Sequence, residues 1–286
     1  MIQIDEKRCT RCGFCVKDCI SGVFRMHNKM PVPAFPEFCN RCSHCVAVCP
    51  THAVIHQGLG GKHTPRVQKR LLQAKAYREI TLSRRSIRKY KPDPVPREII
   101  DELLDLARYS PTASNGQNVC YTVVTNRDLL DMVSRRLFGI GERVNKVFSL
   151  GPVQAVGTRF KDIGPIKTVD RYSRRWAYFM EQVSSGIDLI FHKAPALLLI
   201  YAPRGQNLAR DNCLIAATNI ANYAHSLGLG TCFIGVLTTA MLVDRSLYKR
   251  FQIPDGHKVH AALTLGYPAI THVYHVVRKP PAVKWL

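Results

Sequence analysis

Eight of the chain's eleven cysteines lie within its first 49 residues. They form two runs, Cys9-x-x-Cys12-x-x-Cys15-x-x-x-Cys19 and Cys39-x-x-Cys42-x-x-Cys45-x-x-x-Cys49-Pro50, displaced by 30 residues. The displacement carries more than cysteine. Arg11 recurs as Arg41, Val16 as Val46, and Ser21-Gly22-Val23-Phe24 occupies the place of Thr51-His52-Ala53-Val54. This is an internal duplication, and it predicts a unit with pseudo-two-fold symmetry. Two-residue gaps let three thiolates converge on one face of a cuboidal cluster, while the fourth cysteine points the other way and ligates the other cluster. The expected ligand sets are therefore Cys9, Cys12, Cys15 and Cys49 for one 4Fe–4S cluster, and Cys39, Cys42, Cys45 and Cys19 for the other. Structural zinc uses paired Cys-x-x-Cys units and has no need of a third cysteine at the next two-residue gap. A disulfide framework would require an oxidising compartment.

Residues 1–57 resemble bacterial two-cluster ferredoxins over their whole length. The one departure is Ile20, which stands where proline usually follows the fourth cysteine, and it removes no ligand. His44 and His52, near the clusters, read as solvent-facing or tuning groups rather than ligands.

The remainder of the chain must hold whatever receives the electrons. At 286 residues there is room for a second, larger core. The longest apolar stretch, 194–203, is about half of the ~20 residues that a membrane span needs. With no apolar leader at its start, the chain is expected to be soluble and cytoplasmic. Lys and Arg total 41 against 20 Asp and Glu, a net charge of +21. Two clusters would remove roughly four of those charges by formal counting. Nucleic acid is disfavoured as the partner, since no helix-turn-helix, zinc finger or aromatic RNA motif is visible. An acidic electron donor such as ferredoxin or flavodoxin fits through electrostatic steering.

Gly58-Leu59-Gly60-Gly61 marks a break, and 58–77 reads as a basic linker and helix before a domain spanning 78–286. The spacing of Val67, Leu71, Leu72 and Ala76 predicts a helix over 66–80. Further helices are expected after Pro96, over 127–138, 208–227 and 241–251, with strands at 120–125, 196–201, 231–234 and 259–265. Helices and strands mix without a βαβ rhythm, which predicts an α+β fold. Gly228-Leu229-Gly230 closes a helix instead of opening one, so a Rossmann site is disfavoured. Cys120, Cys213 and Cys232 read as small buried side chains.

A one-electron carrier needs a converter to reduce an organic substrate by two electrons, and flavin is the common one. The residues that FMN requires are present. Arg84, Arg85 and Arg88 with Ser86 make a dense anion site. Asn115 and Gln117 lie on a tight polar loop suited to a ring edge. At Ile234-Gly235 a backbone N–H can approach a flat ring. Arg278 offers a further phosphate contact.

Together and in order, several motifs resemble the FMN-dependent nitroreductase family: Arg84-Arg85-Ser86-Ile87-Arg88, then Tyr109-Ser110-Pro111-Thr112-Ala113-Ser114-Asn115-Gly116-Gln117, then His192-Lys193-Ala194-Pro195, Gly228 through Gly235, and Leu265-Gly266-Tyr267-Pro268. The resemblance implies an obligate homodimer with FMN at the subunit interface. It implies that Arg84, Arg85, Ser86 and Arg88 contact the phosphate and pyrimidine from one subunit, and that Pro111, Thr112, Ala113, Asn115 and Gln117 form the loop reaching in from the other. Gly235 would be the backbone donor to N5, and Arg278 a phosphate ligand. Asn118 replaces a frequent proline and Ala113 a frequent serine, which bears on the substrate mouth. The stretch 139–185 matches poorly, and its Tyr172, Trp176, Tyr178 and Phe179 read either as a cap over the flavin or as dimer packing.

The expected path runs from an external donor to the clusters, to FMN and to a small organic acceptor, a nitro compound or quinone, with no catalytic side chain named. Two alternatives stand: a non-catalytic electron-transfer or redox-sensing protein, and an ene-type or dehalogenating reductase. The fusion of the two units resembles enzymes of anaerobes.

Overall fold

The computed structural model describes residues 2–60, 65–148, 150, 173 and 175–286. It divides into two compact units, Met1–Gln73 with Ser114–Gly116, and Ala74–Ala113 with Gln117–Leu286. Residues 61–64 within the expected linker, and 149, 151–172 (Tyr172 included) and 174 of the poorly matched stretch, lie outside the described residues.

The first unit runs β1 (Ile2–Ile4), α1 (Phe14–Lys17), β2 (Phe24–His27), β3 (Met30–Pro33), α2 (His44–Ala47) and β4 (Val54–His56). β1 pairs antiparallel with β4, and β2 with β3. The sequence duplication is written into the backbone. Left-handed residues recur at the same displacement: Arg11 and Arg41 (φ 58° and 55°), Gly13 and Ser43 (71° and 67°), Gly22 and His52 (64° and 54°). These turns fold each cysteine run back on itself. Five non-ligand residues, Ile2, Val23, Phe24, Val46 and Val54, are buried with Cys15 and Cys45.

The second unit runs α3 (Ala74–Ser83), α4 (Arg97–Ala107), β5 (Cys120–Val124), α5 (Arg127–Phe148), α6 (Trp176–Ser184), β6 (Ala196–Pro203), α7 (Ala209–Ser226), β7 (Gly230–Phe233), α8 (Gly235–Val243), α9 (Ser246–Arg250) and β8 (His257–Gly266). Its sheet has the order β5-β6-β8-β7 and every pairing is antiparallel. β6 is buried from Ala196 to Ala202 because both faces of the sheet are covered. Alternate side chains go to opposite faces. Leu197, Leu199 and Tyr201 pack with α5, α8 and α9, while Leu198, Ile200 and Ala202 pack with α4 and α7. This is the mixed helix-and-sheet architecture expected of an α+β chain.

Two expected helices are corrected. Over 66–80 the chain makes a single 3₁₀ turn at Lys69–Leu71, and α3 starts only at Ala74. Val67, Leu71 and Leu72 are exposed, so their spacing marked no buried face. Over 241–251 the expected helix is two, α8 and α9, interrupted at Asp244. The Asp244 carboxylate accepts the Ser246 N–H at 3.1 Å, which starts α9 afresh. Among the described residues no helix is long and apolar enough to cross a membrane.

Candidate functional site

In the first unit the two cysteine runs cross over. Cys9, Cys12 and Cys15 of the first run line one hollow together with Cys49 of the second. Burial pushes the Cys15 thiol up, and like charge from Cys49, Cys9 and Cys12 adds to it. The other four gather in the same way. Burial pushes Cys45 up to about 12, reinforced by Cys39, Cys19 and Cys42. Cys49 moves the opposite way. Burial would raise it, but hydrogen bonds from the Thr51 and Ala53 backbone N–H groups outweigh that.

Backbone donors aim at the sulfurs in register. The Arg11 N–H donates to Cys9 Sγ and the Arg41 N–H to Cys39 Sγ, each at 3.4 Å. The Val23 N–H donates to Cys19 Sγ at 3.4 Å, and its repeat partner Ala53 to Cys49 Sγ at 3.1 Å. Donors aimed at sulfur stabilise thiolate, the form that binds metal. None of the eleven cysteines forms a disulfide. Among the described residues no three His, Cys, Asp or Glu side chains close round a single ion. The tetrad of Cys9, Cys12, Cys15 and Cys49 instead rings a hollow, which suits a polyatomic iron–sulfur group.

His56 was missed by the sequence reading. It is buried, with its Nε2 3.3 Å from Cys39 Sγ. The signal lay in the duplication, which sets His56 against Met26. In the same unit Asn115 Nδ2 donates to the Asn40 carbonyl at 3.1 Å.

In the second unit the arginine run follows α3 and lies alongside β7. Ser86 bridges Thr231, and the Ile87 N–H donates to the Thr231 carbonyl at 2.9 Å. Gly230 permits this approach, since a Cβ there would sit 2.4 Å from Ile87 Cγ1. β7 then delivers Ile234 and Gly235. Ile234 is buried and its N–H donates to Ala262. Gly235 opens α8, so its N–H has no acceptor within the helix. A Cβ at Gly235 would meet no atom of the chain within 4 Å. The structure thus brings Ser86 and Arg88 to the strand whose end presents the Gly235 N–H.

The three arginines differ. Arg85 turns inward, its guanidinium donating to the carbonyls of Arg84 and Leu82 at 2.5 and 2.6 Å, and its Nε is buried without a partner. Among the described residues none of Arg84, Arg85 and Arg88 makes an ion pair. Burial, then Arg84 and Arg85, lowers His225, whose Nε2 lies 2.7 Å from Ser83 Oγ. Burial lowers His192 as well, with Asp188 opposing and Arg88 assisting. Cys232 is buried beside Ser86 and Arg88, and burial raises its thiol against their pull. An uncompensated cationic run next to a helix-start N–H in open space suits an anion carried on a flat polar ring.

The polar loop is held by α7. The Ala113 N–H donates to Asn212 Oδ1 at 3.1 Å, and Asn219 Nδ2 to Ser110 Oγ at 2.8 Å. Thr112 Oγ1 accepts the Gln117 N–H at 3.0 Å. Ser114, Asn115 and Gln117 are left-handed (φ 51°, 55° and 45°). Asn212, three per cent exposed, is a position the sequence does not mark, because the backbone it holds lies 99 residues away. Arg278 lies on the exposed tail after β8, three residues beyond His275, whose Nε2 stands 2.8 Å from Glu79 Oε1 on α3. Trp176 stacks on Phe138 of α5 with ring centres 5.0 Å apart, and Tyr178 is exposed.

Comparison with known proteins falls in the same two parts. The nitroreductase family model matches residues 81–267, about two thirds of the chain. A 4Fe-4S dicluster domain model matches residues 1–59. A protein of Methanothermobacter thermautotrophicus, provisionally named an NADH dehydrogenase/NAD(P)H nitroreductase, is 28% identical over 191 residues, covering 67% of this chain and 76% of that one. Iodotyrosine deiodinase of Danio rerio is 23% identical over 186 residues, 65% of this chain but 58% of the deiodinase. Among solved structures, an FMN-bound nitroreductase of Bacteroides fragilis superposes with a TM-score of 0.52 at 22% identity, over 73% of this chain and 98% of that one. An FMN-bound nitroreductase of Desulfitobacterium hafniense gives 0.51 at 20% identity, with the same coverage. These likenesses establish the fold.

Proposed function

The chain belongs to the nitroreductase family, and we propose that it is an FMN-dependent oxidoreductase whose first unit carries two 4Fe–4S clusters and passes electrons from an external donor to an organic acceptor. The observation that carries this reading is the pair of crossed cysteine tetrads, each with backbone N–H groups aimed at its sulfurs, on a chain whose second unit presents the arginine run beside β7 and Gly235. Cys9, Cys12, Cys15 and Cys49 hold one cluster, and Cys39, Cys42, Cys45 and Cys19 the other. Once bound, the clusters would supply one-electron transfer, and FMN the exchange between one and two electrons ending in hydride delivery.

The chain's own residues bind and orient. Arg84 and Arg88 neutralise the phosphate, with Ser86 as a hydroxyl donor. Arg85 stiffens the turn that presents them, through its bonds to Leu82 and Arg84. The Gly235 N–H donates to the ring edge. Pro111, Thr112, Ala113, Asn115 and Gln117 form the loop that a second copy contributes, so the working form is a homodimer. Arg278, on the tail that His275 ties to Glu79, adds a further phosphate contact. The net charge of +21 favours an acidic protein donor through electrostatic steering.

Anaerobic purification tests the whole reading. The expected product is a coloured dimer with about eight irons and one FMN per chain. Its reduction by ferredoxin should slow as salt rises. Colourless or zinc-loaded protein overturns the reading. The similarity to iodotyrosine deiodinase favours one second substrate class, reductive dehalogenation. Parallel assays with a nitroaromatic, a quinone and a halophenol decide between the classes. Bound FMN with no turnover of any of the three would point to an electron carrier.

A further inference from the structure

The two halves of the first unit are copies, and their differences decide how two chemically identical clusters would differ. The donors to sulfur match almost one for one. Arg11 and Arg41 serve Cys9 and Cys39, while Ala53 and Val23 serve Cys49 and Cys19. Two side chains break the match. The Thr51 hydroxyl lies 3.8 Å from Cys49 Sγ, at the outer limit of a hydrogen bond to sulfur. His56 Nε2 lies 3.3 Å from Cys39 Sγ. Its repeat partner is Met26, whose thioether has no proton to donate and which is exposed.

We propose that His56 is a positioning and tuning residue that raises the reduction potential of the cluster held by Cys39, Cys42, Cys45 and Cys19 above that of the cluster held by Cys9, Cys12, Cys15 and Cys49. The inference rests on the two-cluster reading above. The chemistry follows from which atom can hold the proton. A thiolate ligand has none, so the imidazole is the donor and Nε2 carries the hydrogen. Adding one electron to a cluster increases the negative charge on its sulfurs, and a donor aimed at one of them stabilises the reduced form. The other cluster has in its place only the Thr51 hydroxyl, at 3.8 Å from Cys49 Sγ. An electron given to either cluster therefore rests preferentially on the one beside His56.

The placement is built rather than incidental. His56 lies in β4, paired with Ile2 of β1, and is six per cent exposed. Behind the ring, Gly58 leaves the space it needs, since a Cβ there would stand 3.1 Å from His56 Cε1. Gly58 has no left-handed φ, so alanine is sterically possible for the backbone and would press only on the ring.

The test uses the full chain, purified anaerobically, with potentials read by spectroscopic redox titration. Two separate midpoints are expected. His56→Met, which installs the residue of the other half, should lower the upper midpoint by about 59 mV, a tenfold change in a one-electron equilibrium, and leave the lower one in place. His56→Gln keeps a side-chain N–H and should recover part of the shift. Gly58→Ala should produce a smaller shift of the same sign, and it carries the test if His56→Met fails to retain iron. Midpoints that do not move, or that move together, in protein holding about eight irons overturn the role of His56 alone. Absence of iron from the unsubstituted chain overturns the cluster reading itself.

Discussion

The two units are held together by different physics. In the first, a small cluster of Ile2, Val23, Phe24, Val46 and Val54 packs with Cys15 and Cys45, and the turns depend on left-handed residues placed in register. A core that small cannot offset the conformational entropy of its chain, so such units depend on metal ligation. The second covers both faces of a four-stranded sheet with helices, and its strand β6 has seven successive residues buried. It needs no ligand to have a core. The contrast explains why the first unit's binding residues are also its structural residues. In the second, the candidate ligand groups lie at the ends of elements, on Arg84 to Arg88 after α3 and on Gly235 at the start of α8.

The largest test of this contrast removes a ligand from the first unit. Cys45→Ala should halve the iron content and abolish hydrogen-exchange protection in β1 and β4, while the second unit melts as before. Equal loss of protection in both units would show that the contrast is false. A smaller effect is expected where the second unit's site meets its core. Gly230→Ala forces a Cβ against Ile87 and should cost about 1–3 kcal/mol, with loosened flavin retention. Adding Ile87→Ala should recover retention; if it does not, the approach of Ser86 to Thr231 is not what presents the site.

The smallest effect is electrostatic. Asp188 accepts the Ser134 hydroxyl at 2.6 Å and the N–H groups of Ile190, Phe191 and Lys193. Burial would raise its carboxyl, but these bonds hold it below the usual range. Its contribution is therefore complete above the unfolded carboxylate value near 3.9 and is lost as pH falls through its own lower value. Asp188→Asn should cost about 1–2 kcal/mol at pH 7, with the gap closing toward pH 3 in denaturant melts. A gap that widens in acid would reverse the sign of this argument.

How much of this could be read in advance differs between the units for the same reason. The cysteine spacing was legible as two expected tetrads, because two-residue gaps turn three thiols of a run toward one place, and the fold sets Cys9, Cys12 and Cys15 with Cys49 round one hollow. The strand at Ala196 and the long helix α7 were legible as apolar runs bounded by Pro and Gly. The helix expected over 66–80 forms only from Ala74, because Val67, Leu71 and Leu72 are exposed and mark no buried face. The inward turn of Arg85 was equally hidden, since a guanidinium that satisfies local carbonyls looks in sequence like one waiting for phosphate.

What the amino-acid sequence determined by itself was chemistry carried by local spacing: two thiolate tetrads, a cationic run and an α+β pattern. Only the tertiary structure decided which backbone and side-chain groups stand behind that chemistry. Asn212 holding Ala113, Gly230 admitting Ile87 and His56 reaching Cys39 each join residues distant in the chain. Such contacts depend on how strands and helices pack, and packing is a property of the whole unit that no short window of residues contains.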